Sequence, residues 1–283
     1  MSTTTANGIT ICYETFGRPE DPALLLVMGL GVQVTSWEPE FCQAFADEGL
    51  FVIRYDNRDV GLSSSTPDVE YSLSDMAADG MALLTALGIS QAHVLGVSMG
   101  GMIAQLMAVE HPDRVLSLCS IMSTTGNPDD NQATPMAVEI IGRTPTLPRE
   151  ATIEEAVARA RFLAGTGFEF DEDRHRRRAA AAFDRANNPE GKARHRRAAR
   201  DARDRTPRLR RVGAPTVVIH GDADPVVTVS GGRATAAAIP GARLVIIPGM
   251  GHELPRDIEG RIIQETVRNA RRAGFSPRGT RVP

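Results

Sequence analysis

The sequence predicts an α/β fold, a mostly parallel, doubly wound sheet interrupted by an inserted helical segment. Three observations carry that prediction. Short apolar runs alternate with amphipathic helical patterns over the first half of the chain, and the alternation resumes near the C-terminus. The runs Leu24-Leu25-Leu26-Val27 and Thr216-Val217-Val218-Ile219 suit strands buried on both faces. Between them, residues 126–212 hold no convincing strand.

Taken in order, residues 9–13 and 24–28 read as strands. Residues 38–48 read as a helix, with Phe41, Ala44 and Phe45 at helical spacing, and residues 51–55 as a strand. Over 72–87, Leu73, Met76, Ala77, Met81, Leu84 and Leu87 fall on one helical face. Ser72 and Ser74 are candidate caps for its start, and Gly88 stops it. Residues 93–97 form a strand, 99–110 a helix ended by His111-Pro112, and 115–122 a strand. A loop at 126–135 opens the insertion, followed by helical stretches around 136–141 and 152–164. From Arg174 to Arg211 there are 14 arginines and one lysine against four carboxylates, which reads as a solvated helix face. Strands at 216–219 and 243–247 and a helix at 258–273 complete the chain. The expected division is a core of residues 1–125 and 213–283 with a cap at 126–212.

Composition narrows the function classes. Among 283 residues, 32 basic side chains face 35 acidic ones, for a net charge of −3, so nothing points to a nucleic-acid partner. The 42% hydrophobic and 24% charged shares fit a globular protein. Lys192 is the one lysine, which reads as a codon bias toward arginine. Cys12, Cys42 and Cys119 have neither disulfide nor metal-ligand spacing, so buried thiols are expected and no metal. The start MSTTTANGITICYE lacks a basic stretch followed by an apolar core, and 23–34 is too short to span a bilayer. The expected compartment is the cytoplasm; oligomeric state is not legible.

The sharpest chemical signal is Gly96-Val97-Ser98-Met99-Gly100, a G-x-S-x-G motif between an apolar strand and an amphipathic helix. Alone the motif is weak; the strand–turn–helix setting makes it specific. A sharp turn there lifts the Ser98 hydroxyl clear of the sheet, and the following helix aims its positive end at the site. A serine nucleophile needs a base, and the base an orienting acid. Of six histidines, His252 stands in the glycine-rich loop Pro248-Gly249-Met250-Gly251-His252, just past a strand. Asp224 and Asp222 compete for the acid in His220-Gly221-Asp222-Ala223-Asp224-Pro225; Asp224 is preferred, with Asp222 bracing the loop. The chain order Ser98, Asp224, His252 fits such a triad. Backbone N–H groups of Met99 and of Leu30, in Met28-Gly29-Leu30-Gly31, are the candidate oxyanion donors. Asp56, Arg58 and Asp59 read as charges bracing a nearby loop.

With these residues in view, the chain resembles the α/β-hydrolases over nearly its whole length. The segments LLLVMGLG (24–31), VIRYDNRDVGLS (52–63), VLGVSMGGMIAQ (94–105), PTVVIHGDADPVV (215–227) and IPGMGHELP (247–255) carry the resemblance. They are similar to actinobacterial carboxylesterase/lipase-like hydrolases and the aclacinomycin methylesterase group. The resemblance implies a serine esterase with a helical cap, acting on a small-molecule ester through an acyl-enzyme and without a cofactor. Many relatives carry His-Gly at the oxyanion loop, where this chain has Met28-Gly29. A perhydrolase or haloperoxidase, a lactonase and a carbon–carbon bond hydrolase share the same apparatus, and a non-catalytic binding protein shares the fold. Expected pocket residues are Leu30, Val32, Trp37, Met122, Met136, Ile140, Phe162, Phe168 and Val226, mostly apolar, suiting a small or medium hydrophobic ester.

Overall fold

Successive side chains of a strand point to opposite faces, so a wholly apolar strand must be covered on both. The computed structural model describes residues 1–130, 133–143 and 145–276. Residues 131–132 of the expected 126–135 loop, residue 144 of the expected insertion and residues 277–283 of the expected C-terminal core lie outside these residues. The strands are β1 (Ser2–Ala6), β2 (Ile9–Phe16), β3 (Ala23–Val27), β4 (Phe51–Tyr55), β5 (Ala92–Val97), β6 (Val115–Ile121), β7 (Thr216–Gly221) and β8 (Arg243–Ile247). They form one sheet in the order β1-β2-β4-β3-β5-β6-β7-β8. The β1–β2 and β2–β4 pairs are antiparallel and all others parallel. Every residue of β3, β4, β5 and β7 is buried.

The period-2 alternation divides the core in two. Leu25 and Val27 face one side, where they pack with Met76, Met81 and Leu84 of α2 (Leu73–Ala86) and Ile103 and Met107 of α3 (Met99–Glu110). Leu24 and Leu26 face the other, with Phe41 and Phe45 of α1 (Pro39–Asp47) and Ile262 and Val267 of α10 (Glu259–Arg271). Burying one such leucine stabilises by about 1.5–3 kcal/mol. Ser72 caps α2 in a capping box with Asp75, whereas Ser74 instead donates to Glu110. Gly88 ends the helix with φ +73°.

Residues 126–212 contribute α4 (Pro135–Gly142), α5 (Arg149–Leu163), α6 (Glu172–Arg185), α7 (Pro189–Arg200) and α8 (Thr206–Leu209). None of the strands lies there among the described residues. Strand β1 and the helix α9 (Val229–Ala238) were not anticipated. The run STTTA of β1 has no apolar alternation, and it forms because the hairpin onto β2 pairs it through the backbone. The cysteines are buried thiols. Among the described residues no helix is long and apolar enough to cross a membrane.

The arginine-rich stretch departs from the expected solvated face. Arg174 is buried and bridges Glu38 and Glu259 at 2.8 Å each. Arg185 meets the buried Asp56 at 2.6 Å, and Arg194 meets Asp59 at 2.8 Å. Arg205 donates to the carbonyl of Thr124 and to Gln105. One set of arginines therefore docks α6, α7 and α8 on the sheet's connections, while Arg177, Arg197 and Arg200 remain exposed. A charge count cannot separate the two sets, because the partner groups lie 81 to 136 residues away in the chain.

Candidate active site

The strand order reverses at β3, with β4 on one side and β5 on the other. Loops leaving the C-terminal ends of β3 and β5 thus flank a crevice, where open α/β sheets bind ligands. Ser98 follows β5 with φ +57° and ψ −122°. A left-handed φ strains a residue that carries a Cβ. The turn is kept this tight by its glycines. A Cβ on Gly96 would lie 2.1 Å from the Gly100 carbonyl oxygen, and one on Gly100 would lie 2.2 Å from the Val27 carbonyl oxygen. Any side chain there would push strand and helix apart.

Three elements bring the polar side chains together. The Ser98 hydroxyl lies 2.8 Å from Nε2 of His252, which follows β8. Nδ1 of His252 lies 2.7 Å from Oδ2 of Asp224, which follows β7. A carboxylate only accepts, so Nδ1 carries the proton and Nε2 is left to accept from Ser98. The other oxygen of Asp224 accepts from the N–H groups of Val226 and Val227, at 2.8 and 2.9 Å. Asp222 accepts from Gly249 N–H at 2.6 Å and so links the β7 and β8 loops. The nearby His220 donates from Nε2 to the Val227 carbonyl and supports the Asp224 turn from below. The glycines around His252 are explained by close passage of the chain after α5: a Cβ on Gly251 would meet the Leu163 carbonyl oxygen at 2.0 Å.

Leu30 sits in the loop after β3, where Gly29 passes close to the Ser98 side chain, and Met99 follows Ser98 in the chain. Neither N–H group donates to a protein acceptor among the described residues, and Met99 opens α3, where first-turn N–H groups lack helical partners. The loop after β3 is held on three sides. Asn57 donates to the Met28 carbonyl at 3.1 Å, and Asp56 accepts from Val34 N–H at 2.8 Å. His195, from α7, accepts the Gly31 N–H on Nδ1 at 3.1 Å and donates from Nε2 to the Arg58 carbonyl at 2.7 Å. Gln33 in turn donates to the Ala182 carbonyl of α6 and to the Ala186 carbonyl just past its end. Bracing of this loop thus comes from Asn57, from Asp56 and from the inserted helices.

A cavity of about 390 Å³ opens over Ser98 and His252. Of the expected pocket residues, Leu30, Val32, Trp37 and Met122 line it. Met136, Ile140, Phe162, Phe168 and Val226 are absent from its wall; their neighbours Ile141 and Leu163 are present instead. One residue along a helix turns the side chain by about 100°, and sequence alone does not set the phase of α4 and α5 against the cavity. Met136 is 53% exposed, Phe168 packs on the core, and Val226 serves through its backbone. Cavity-lining residues that were not anticipated include Ala182 and Phe183 of α6 and Lys192 of α7.

The family described as alpha/beta hydrolase fold matches residues 22–255. The chain belongs to that family. It is 33% identical to rhodomycin D methylesterase DauP of Streptomyces sp. (strain C5), over 89% of this chain and 91% of that protein. It is 33% identical to 3-oxoadipate enol-lactonase 2 of Acinetobacter baylyi, over 82% of each. Among solved structures, a hydrolase from Pseudomonas aeruginosa PA01 superposes with TM-score 0.74 at 29% identity, covering 94% of this chain and 97% of that one.

Two histidines of this α/β hydrolase tie its stability to pH. Burial pushes His93, in β5, and His195 down to about 4. The unfolded chain takes these protons near the ordinary value of about 6.5. Between those limits the unfolded state binds more protons, so stability falls as pH falls from about 6.5 toward 4, by up to about 1.4 kcal/mol per pH unit for each group. The melting temperature is expected to drop across this window. His93→Gln should flatten the drop, and an unchanged slope in that variant would exclude His93 as a contributor.

Proposed function

We propose that this α/β hydrolase cleaves carboxylic esters with Ser98 as nucleophile, His252 as base and then acid, and Asp224 as the group that orients the imidazole. The observation that carries the reading is the continuous hydrogen-bond chain from the Ser98 hydroxyl through His252 to Asp224. As Ser98 Oγ bonds to the ester carbonyl carbon, its proton passes to His252 Nε2, and the carbonyl oxygen takes the negative charge. The N–H groups of Leu30 and Met99 receive that oxyanion. Collapse of the tetrahedral species breaks the bond to the alkoxy oxygen, which leaves with the proton from His252. Water then gives a proton to His252 and attacks the acyl-enzyme, and the carboxylic acid departs as Ser98 regains its proton.

Residues 126–212 act as the cap that sets substrate size. The 33% identity to a methylesterase over nine-tenths of the chain supports a short alcohol as leaving group. The 33% identity to an enol-lactonase supports a second reading, opening of a cyclic ester, in which the same steps leave acid and alcohol joined.

The test is labelling with a fluorophosphonate, peptide mapping of the modified residue, and a p-nitrophenyl ester series from C2 to C16. Modification of Ser98 together with turnover is expected. Absence of labelling would mean that Ser98 is not an activated nucleophile.

A further inference from the structure

Every carboxylate on the cavity wall has a guanidinium partner. Glu155 pairs with Arg159 at 2.7 Å, Glu38 and Glu259 with Arg174 at 2.8 Å each, Glu253 with Arg178 at 3.5 Å, and Asp59 with Arg194 at 2.8 Å. Lys192 is different. It lines the same cavity, yet among the described residues its ammonium makes no hydrogen bond or ion pair. Its stem lies along the loop after β3, where a Cβ on Gly31 would come within 2.5 Å of Lys192 Cγ. Gly31 adjoins Leu30, so the lysine is anchored beside the candidate oxyanion donor.

A second cation reinforces the first. Arg196 sits one helical turn further along α7, and its Nε and Nη2 are buried without a hydrogen-bond partner. Like charges four residues apart on a helix repel each other. Glu155 on α5 lies close enough to favour the charged lysine, but both its carboxylate oxygens accept from Nη1 of Arg159, and among the described residues it makes no hydrogen bond to Lys192. Burial first, and then the Arg159 and Arg196 charges, push the lysine down to about 8 against the opposing pull of Glu155.

We propose that Lys192, backed by Arg196, receives a carboxylate on the substrate, so that the preferred ester is a half-ester of a dicarboxylic acid. This proposal rests on the ester-hydrolase reading and names its substrate class. The free carboxylate lies against α7, while the esterified end reaches Ser98 past the apolar wall formed by Leu30, Trp37 and Met122. A charge-assisted hydrogen bond in a partly dry cavity is worth a factor of about ten or more.

The experiment compares monomethyl and dimethyl esters of the C4 to C8 straight-chain dicarboxylic acids, for the wild type, Lys192→Met and Arg196→Gln. Lys192→Met keeps the stem over Gly31 and removes the charge. In the wild type, kcat/KM is expected to favour the monoester at least about tenfold at the best chain length. Lys192→Met is expected to lose that preference, read as the ratio of monoester to dimethyl ester kcat/KM within the variant; Arg196→Gln should weaken the preference without abolishing it. No preference in the wild type, or the same preference in Lys192→Met, overturns the proposal. A separate arm measures binding of the free dicarboxylates by calorimetry. Binding that weakens at least about tenfold in Lys192→Met supports the carboxylate site, and equal binding overturns it. Because this arm needs no turnover, failure of the esterase reading itself, seen as no labelling and no hydrolysis of any ester, is distinguishable.

Discussion

Ser98→Ala is expected to lower kcat by about 10⁵- to 10⁶-fold on the best ester substrate. The alanine keeps a Cβ, so the backbone at φ +57° and the close contacts of Gly96 and Gly100 are unchanged. Thermal stability should therefore move by less than about 1 kcal/mol. What disappears is the only oxygen within hydrogen-bond reach of His252 Nε2 among the described residues. Water can still be polarised by His252, and the Leu30 and Met99 N–H groups can still receive an oxyanion, so some catalysis above the uncatalysed rate remains. His252→Ala should cost about as much as Ser98→Ala, and the double variant little more, because the two act as one unit. Single-turnover and steady-state rates on a p-nitrophenyl ester measure this. A Ser98→Ala enzyme within about tenfold of the wild type would end the proposed mechanism.

The second large effect is expected at Asp224. Asp224→Asn should lower kcat by about 10⁴-fold while leaving the fold intact. The hydrogen bonds around the side chain dictate which way the amide turns. Oδ1 faces two donors, the N–H groups of Val226 and Val227, so the amide oxygen must take that place. The NH₂ then faces Nδ1 of His252, at the position where Oδ2 now accepts. Nδ1 must become an acceptor, which moves the imidazole proton to Nε2 and leaves nothing to take the Ser98 proton. KM should change little, because Asp224 is not on the cavity wall. Rates of a few per cent of wild type or higher would show that orientation by Asp224 is not needed. Measured far-ultraviolet circular dichroism and melting temperature would separate this loss from unfolding.

Much of the arrangement is legible from local sequence, for a physical reason. Strands such as β3 and β5 are apolar on both faces because helices cover both, and that requirement acts on consecutive residues. The turn at Ser98 is legible because a strand cannot pass so closely into a helix without glycine at positions 96 and 100. His252 and Asp224 stand out because each follows a strand and sits in a loop of small residues. The geometry then brings all three within hydrogen-bond distance, as their places at the ends of β5, β7 and β8 imply.

The inserted helices were read less well. Composition marks them as arginine-rich, but whether an arginine is solvated or buried depends on a distant carboxylate. Arg185 and Asp56 are 129 residues apart, and Arg174 and Glu38 are 136 apart. His195 shows the same limit more sharply. Nothing near it in the chain distinguishes it from His175, yet it accepts the Gly31 N–H from a loop 164 residues away. The sequence does not show which face of each inserted helix meets the cavity: it points to Ile140 and Phe162, where Ile141 and Leu163 line the wall.

The division follows from how the constraints act. Strand burial, the tight turn at Ser98 and the loop positions of Asp224 and His252 are demands on neighbouring residues, and a linear pattern records them. The cavity wall, the bracing of Gly31 by His195, and the place of Lys192 on that wall arise only when α5, α6 and α7 are laid across the sheet's edge. Pairing energies there depend on through-space distances between groups far apart in the chain, and no sequence pattern encodes them.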